Sequence, residues 1–434
     1  MSLALDRQMK RWYPLIPHPI QLELIRDDVR FKLVPAGRRS GKTERAKRYL
    51  VKKAMSEAGR FFFAAAPTRD QARKIFWDDL KTLSLTSTHP EQPRETELKI
   101  TFPNGSEIQV LGLDNPARIE GSLWHGGVID EIADCKPDAW AFHVQPALDT
   151  VHPLDPGYRA WCWLTGVPDG LNHYYDLCQY ARNSGDPDWK IYHWPSSDIL
   201  PAGVIDAAKR SMSARQFKQE YQASFETASG RIYPDYSRDN HTEGTIEPHE
   251  RLLWFHDFNY TPMSSGVGVI RNGDYYLLDE IILQSAVARE SALEFVEKYR
   301  DHQNKNVVIY GDPAGRAGEK HGHASDYTEI NRVVRGAGWT VTQKVKRAAP
   351  AIKDRQNAVR ALIRNAAGGI SLFVNPKNAP YCDKGLATVQ LKKGSSFLEA
   401  DGEYQHITTG VGYMADMERP VTPPATRLNV RITR

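Results

Sequence analysis

Apolar residues in the first half of the chain fall into short unbroken runs separated by amphipathic stretches. The runs at 31–35, 60–66, 127–130 and 158–165 are of strand length and mainly apolar at successive positions, Lys32 being the one charge inside the first. Strands covered on both faces have this pattern, whereas a half-exposed strand alternates. A basic helix is predicted from about Lys42, and Pro67-Thr68 opens a second helix containing 71–80. Residues 98–102 and 107–111 flank Asn104-Gly105, which predicts a hairpin. Strand–helix alternation of this kind predicts an α/β domain with a mostly parallel sheet.

From about 196 to 250 the pattern changes to short helices and turn-rich segments, which predicts a linker subdomain. Beyond 251 a new sheet is predicted. Strands at 252–258, 266–270 and 275–283, the last two joined by Asn272-Gly273-Asp274, form an antiparallel meander. A helix at 286–302, a strand at 307–310, a helix at 327–335 and a strand at 339–345 follow, giving a mixed sheet. The expected organisation is 1–195, a linker subdomain 196–250, a second domain 251–418 and a basic, proline-containing tail 419–434.

The chain has 434 residues, enough for two domains. With 41% hydrophobic and 25% charged residues, it is globular rather than disordered. No apolar run approaches the roughly 18 residues of a membrane span, so no membrane partner is expected. The N-terminal residues lack the apolar segment of a secretory signal. Cys135, Cys162, Cys178 and Cys382 form no close pair, which argues for a reducing cytoplasm and against a disulfide framework or zinc knuckle. Net charge is only +4, yet basic residues cluster at 38–53 and again at 344–364. Such stripes suit phosphate contacts, and solvated helix faces look the same from sequence.

Two motifs of the first half point to triphosphate chemistry. Ala36, Gly37, Arg38, Arg39, Ser40, Gly41, Lys42 and Thr43 form a Gly-Lys-Thr loop between an apolar strand and a helix, with alanine at the leading glycine position. Backbone N–H groups of such a loop surround phosphates, Lys42 reaches the β- and γ-phosphates, and Thr43 offers a hydroxyl to Mg²⁺. The strand at 127–130 ends in Asp130 and Glu131, one carboxylate for the metal shell and one to polarise attacking water. Gln21 is a candidate reader of adenine. Arg118 is a candidate for contact with the γ-phosphate of a neighbouring subunit, with Arg38 and Arg39 competing for that role. Thr165 and Gly166 end the later strand, where they can couple hydrolysis to motion.

In the second half, Asp257 lies mid-strand among aromatics and Asp312 ends the next parallel strand. Two aspartates on neighbouring strands can share Mg²⁺ or Mn²⁺ ions about 4 Å apart, the arrangement of two-metal nucleases.

Together these features resemble the large terminase subunit of tailed bacteriophages. The resemblance is carried by 36–43, 66–72, 128–131, 165–168, 219–222, Asp257, Asp312 and 406–413. It implies an additional-strand type P-loop ATPase followed by an RNase H/RuvC-like endonuclease. It further implies ATP-driven translocation of double-stranded DNA into a procapsid, cutting of concatemeric DNA, and action in the host cytoplasm rather than in the mature virion. Implied partners are a portal protein, a small terminase subunit and further copies of the chain in a ring of five. The competing readings are a nucleic-acid-dependent ATPase or helicase whose second half only binds DNA, a recombinase, and a structural virion component.

The chain departs from the family pattern at one point. Where the family's C-terminal helix carries a third aspartate, in a pattern like H-x-x-D, this sequence has His406-Ile-Thr-Thr409. A threonine hydroxyl is a weak ligand, so impaired or Mn²⁺-demanding cutting is expected. Asp401, Asp326 and, less suitably, Asp416 are the substitute carboxylates the sequence offers.

Overall fold

A computed structural model describes residues 3–153, 155–226, 230–258, 261–316, 325–392, 395 and 397–421. The chain separates into two compact units. The first comprises 1–205 and 218–226, and the second 206–217 and 227–434, so the stretch 196–250 is shared between them.

The first unit is built on a seven-stranded sheet. In chain order its strands are β1 (Phe31–Pro35), β2 (Phe61–Ala66), β3 (Lys99–Thr101), β4 (Glu107–Gly112), β5 (Gly126–Ile129), β6 (Trp161–Gly166) and β7 (Trp189–Ile191). The spatial order is β3-β4-β2-β5-β6-β1-β7, with every pair parallel except the β3–β4 hairpin. The unbroken apolar runs have the predicted cause. Phe62, Ala64 and Ala66 face one core with Leu50, Phe76 and Trp163, while Phe63 and Ala65 face another with Leu33, Ile129 and Trp140. The helices Pro19–Arg26 and His173–Asn183 and the edge strand β7 were not predicted. They are short, and their apolar periodicity is interrupted by charged residues.

The second unit holds a six-stranded mixed sheet. Its strands are β8 (Leu252–Asp257), β9 (Met263–Arg271), β10 (Asp274–Leu283), β11 (Asn306–Gly311), β12 (Thr340–Gln343) and β13 (Leu372–Val374), ordered β12-β11-β8-β9-β10-β13. The meander β8-β9-β10 is antiparallel, and the other pairs are parallel. Its tight turn uses Asn272 at φ 54° and Gly273 at φ 89°, the double positive φ that matches the twist of a hairpin. Trp254, Phe295 and Ile309 anchor one core. The helix Gln405–Glu418 buries Ile407, Val411 and Met414. A Cβ at Gly410 would lie 3.2 Å from the His256 backbone carbon, so this glycine lets the helix lie close against the end of β8.

The basic stripes are largely absorbed by the fold. Lys47 pairs with Asp79 at 2.7 Å, Lys53 with Glu57 at 2.8 Å, and Arg48 bonds Glu44 at 2.5 Å. In the second stripe Lys344 pairs with Glu418 at 2.6 Å, Lys346 with Asp416, and Arg360 is buried with its Nε on the Ile232 carbonyl. A phosphate-binding stripe would instead leave these cations unpaired. Among the described residues, no helix is long and apolar enough to cross a membrane. The expected tail at 419–434 lies outside the described residues from 422 onward.

Candidate functional site

Strand register assembles the first site at the carboxyl ends of parallel strands, where open α/β sheets place their ligands. Val34 of β1 lies opposite Thr165 of β6, and Leu164 lies opposite Ile129 of β5. The loop leaving β1, the Asp130-Glu131 pair leaving β5 and the Thr165-Gly166 pair ending β6 are thereby neighbours. Asp130, 3% exposed, sits between two hydroxyls. Thr43 Oγ1 donates to one carboxylate oxygen at 2.7 Å, and Thr165 Oγ1 donates to the other at 2.6 Å.

The loop itself is held from behind. The N–H of Gly37 donates to the Trp194 carbonyl at 3.0 Å, and that of Arg38 to the Glu220 carbonyl at 2.6 Å. Ser196 Oγ donates to the Arg38 carbonyl at 2.8 Å. The Ser40 carbonyl receives Gln21 Nε2 at 2.8 Å and Trp194 Nε1 at 3.2 Å. Gly37 is a matter of space, since a Cβ there would stand 2.3 Å from Ser196 Oγ. Gly41, at φ 87°, is a matter of backbone geometry. Trp194, Ser196 and Glu220 carry no sequence signature of this role; only tertiary packing brings them under the loop.

Lys42, the first residue of the helix Lys42–Ser56, is buried and makes no hydrogen bond or ion pair with another described residue. Its charge is felt by Glu131, whose carboxyl is raised by burial, with Lys42 opposing and Asp130 adding to the shift. Glu131 adopts φ 52°. A left-handed glutamate costs energy, and such strain collects at functional positions. Both ends of the Gln21 amide are occupied, because Arg45 Nε donates to its oxygen at 2.9 Å. This pair borders a cavity of about 340 Å³, lined also by Tyr13, Ile16 and Gly41. Of the three arginines, Arg38 is engaged with Glu220 at 3.0 Å. Arg39 and Arg118 are exposed and make no ion pair with a described residue.

The second site forms where β8 and β11 end side by side. His256 is opposite Gly311 in parallel register, so Asp257 and Asp312 follow as adjacent positions. Asp257 is the last residue of β8 and not mid-strand as its aromatic neighbours suggested. His406 Nδ1 lies 2.8 Å from Asp257 Oδ2. Burial raises the Asp257 carboxyl, opposed by His406 and Arg355 and reinforced by Asp312. The His406 imidazole is raised in turn, chiefly by its bond to Asp257. Tyr413, whose hydroxyl is raised by burial, faces Arg355 and both aspartates.

The third-carboxylate position is occupied differently. Thr409 is buried, and its hydroxyl donates to Glu399 Oε2 at 3.4 Å. Asp416 is buried and paired with Lys346, which removes it as a substitute. Asp401 is exposed, and Asp326 opens the helix Asp326–Gly336. His406 belongs to the pattern the sequence reading singled out, whereas Glu399 escaped that reading because nothing local marks it. Among the described residues, no group of three or more His, Cys, Asp or Glu side chains lies close enough to hold a metal ion.

Comparison with known proteins gives one consistent answer. The chain is 25% identical over 250 residues to the large terminase subunit of Thermus phage G20c, a match covering 50% of each chain. It is 25% identical over 174 residues to that of Escherichia phage T5, covering 39% of this chain and 38% of the relative. The chain thus spans half or less of the length of these curated relatives. In fold it is similar to the large terminase of the thermophilic bacteriophage D6E, with a TM-score of 0.60, 16% identity and coverage of 96% and 98%. That protein has also been solved with ADP, at a TM-score of 0.59, and with ATP-gamma-S, at 0.58. No protein-family model matches the chain. The resemblance read from the motifs and that found by comparison are the same: large terminase subunits of phages.

Proposed function

We propose that the chain is a viral DNA-packaging motor subunit, with an ATPase of the P-loop, additional-strand type in its first unit and an RNase H-like, metal-dependent endonuclease in its second. The observation that carries the ATPase reading is the Thr43–Asp130–Thr165 chain beside a buried Lys42 whose ammonium makes no hydrogen bond or ion pair with another described residue, its charge being felt by Glu131, which burial pushes toward the protonated form. A buried ammonium costs several kcal/mol unless an anion compensates it, and a triphosphate is the anion this loop suits.

The residues fit Mg²⁺ with ATP: a hydroxyl and a carboxylate are the hard oxygen donors that ion takes. Bound there, Mg²⁺ would neutralise charge on the β- and γ-phosphates. The protein does the rest. Loop N–H groups and the helix start at Lys42 orient the phosphates, and the Lys42 ammonium draws off developing charge. Glu131, whose burial favours taking up a proton, polarises the attacking water. Arg118 or Arg39, exposed and without an ion pair to a described residue, completes a neighbouring subunit's site in a ring. Thr165 touches the carboxylate next to Glu131 and carries the change in nucleotide state into β6. The cavity beside Gln21 and Arg45 receives the base.

In the second unit, Asp257 and Asp312 fit one divalent cation. They do not fit a three-carboxylate, two-ion site, since Thr409 brings no charge. Weak or Mn²⁺-dependent cutting is the corresponding expectation. The implied partners are double-stranded DNA, the portal, a small terminase subunit and copies of the chain, probed together by packaging assays. That no three-ligand cluster occurs among the described residues leaves a second reading, in which the C-terminal half binds DNA without cutting it. DNA-stimulated ATPase and plasmid cleavage by wild type, Lys42→Ala and Asp257→Ala decide between them. Lys42→Ala should lose ATP hydrolysis alone and Asp257→Ala cleavage alone. Intact hydrolysis in Lys42→Ala refutes the ATPase assignment, and equal cleavage by Asp257→Ala leaves the DNA-binding reading.

A further inference from the structure

The helix Pro19–Arg26 is tied to the first site at both ends. Toward its C-terminus, Lys32 Nζ of β1 donates to the Leu24 carbonyl at 2.7 Å and to the Asp27 carbonyl. Lys32 is 2% exposed, so the strand that feeds the Gly-Lys-Thr loop is fastened to this helix by a buried ammonium. In its first turn the helix carries Gln21, whose Nε2 donates to the Ser40 carbonyl of the loop itself at 2.8 Å. From Gln21 the hydrogen bonds continue outward. Arg45 Nε donates to Gln21 Oε1 at 2.9 Å, and Arg45 Nη2 donates to the Ile16 carbonyl at 2.7 Å. The amide thus joins the loop to the wall of the cavity of about 340 Å³.

A side chain that selects adenine must offer an acceptor to its N6 amino group, because guanine presents an acceptor, O6, at the corresponding edge. Gln21 is poorly placed for that task. Its oxygen is turned to Arg45, its nitrogen to Ser40, and only 2% of its surface is exposed. Turning the amide over would set its NH₂ against the Arg45 guanidinium and its oxygen against the Ser40 carbonyl, donor facing donor and acceptor facing acceptor. The Glu44 carboxylate, also on the wall, is held by Arg11 at 2.7 and 2.5 Å and by Arg48 at 2.5 Å. The Tyr13 hydroxyl rotates and serves as donor or acceptor alike. The remaining wall is mainly apolar, from Pro14, Leu15, Ile16 and Ile199. Contact of that kind holds either purine ring. An apolar pocket separates close analogues by factors of about 10 to 200, whereas a site that hydrogen-bonds the distinguishing group reaches about 10⁴ or more.

Resting on the ATPase reading of the first unit, we propose that Gln21 is a positioning residue of the phosphate loop and does not read the base, and that the cavity accepts purine nucleoside triphosphates as a class, so that the site hydrolyses GTP as well as ATP.

DNA-stimulated hydrolysis of ATP and of GTP by the full chain tests this. The two values of kcat/KM should lie within about 100-fold of each other. A larger preference for ATP overturns the proposal and leaves the ATPase reading standing. Gln21→Leu removes both amide bonds. Its kcat per nucleotide site, with sites counted by binding of a fluorescent ADP analogue, should fall about tenfold for both nucleotides, the scale of one hydrogen bond lost in the transition state. The ratio of ATP to GTP should stay as in the wild type. A purely structural role would lower the number of sites and leave kcat per site unchanged. That result, or a ratio moved by more than about tenfold toward GTP, overturns the assignment of Gln21. Should Gln21→Leu fail to fold, the wild-type ratio alone decides. Undiminished hydrolysis of both nucleotides by Lys42→Ala refutes the ATPase reading itself.

Discussion

Thr165→Val tests the first site at a single hydrogen atom. The two side chains have nearly the same shape, so the change removes a hydroxyl and little volume. Thr165 is 1% exposed and donates to Asp130 Oδ1 at 2.6 Å, the shorter of its two contacts, the other being 3.2 Å to the Ile129 carbonyl. A hydroxyl has one hydrogen, and the shorter, charged acceptor claims it. Removing it leaves one oxygen of a buried carboxylate bare, which costs about 1.5–3 kcal/mol for a bond to a charged group. For a unit of this size that is a fall of about 3–12 °C in the melting temperature of the first transition, read by calorimetry. Catalysis should fall as well, because Asp130 is then fixed only by Thr43. A decrease in kcat of about tenfold, with KM for ATP little changed, corresponds to loss of one such bond in the transition state. Thr165→Ser, which keeps the hydroxyl, should behave as wild type. Melting of Thr165→Val within about 1 °C of wild type would refute the claim that this hydroxyl holds Asp130.

Gly37→Ala should abolish binding of a fluorescent ATP analogue, because its Cβ would stand 2.5 Å from the Ser196 backbone nitrogen and 2.7 Å from the Tyr221 carbonyl; retained binding would mean that the loop can move without loss of the site. Trp194→Phe deletes the Nε1 donor to the Ser40 carbonyl and should cost about 1 kcal/mol of stability, measured by urea denaturation. His125 is lowered to about 4, mainly by burial, then by His152 and Arg60, and its Nδ1 accepts the Phe61 N–H at 3.0 Å. The folded state therefore binds fewer protons than the unfolded chain between the ordinary histidine value of about 6.5 and 4. Stability is full above that window and falls as pH drops through it. The urea midpoint of the first unit should accordingly decrease from pH 7 to pH 5, and less steeply in His125→Gln; parallel profiles would refute the assignment.

What was legible in the sequence was whatever local pattern decides. The buried strands β1, β2, β5 and β6 announce themselves by unbroken apolar runs, and Asn272-Gly273 announces its hairpin by the one conformation those residues favour. The Gly-Lys-Thr loop and the Asp-Glu strand end were legible for the same reason, since phosphate binding demands a fixed local order of residues. The supports under the loop were not. Trp194, Ser196 and Glu220 lie more than 150 positions away in the chain from the carbonyls and N–H groups they satisfy, and no short-range rule connects them. The basic stripes stayed ambiguous for a related reason. A lysine bound for Asp79 and one bound for a phosphate look alike until the partner strand or helix is in place.

The two candidate sites pose opposite electrostatic problems, and this explains why a motif marks most of the residues brought together in the one and only some of those in the other. In the first, Lys42 is buried next to the Asp130–Glu131 pair without a side-chain hydrogen bond or ion pair to another described residue, and Arg39 and Arg118 are exposed without an ion pair to a described residue, an arrangement suited to an anionic ligand. Its donors must be preset, which fixes the motif. In the second, Asp257 and Asp312 follow each other at adjacent strand ends, an arrangement suited to a cation. How much cation is required depends on residues that no motif includes. Thr409 leaves the motif's carboxylate position without charge, and its hydroxyl donates to Glu399 Oε2 at 3.4 Å, so a carboxylate from outside the motif stands beside that position. A substitution that looks like decay at a motif position therefore has to be read, in the folded unit, together with the carboxylate its side chain bonds.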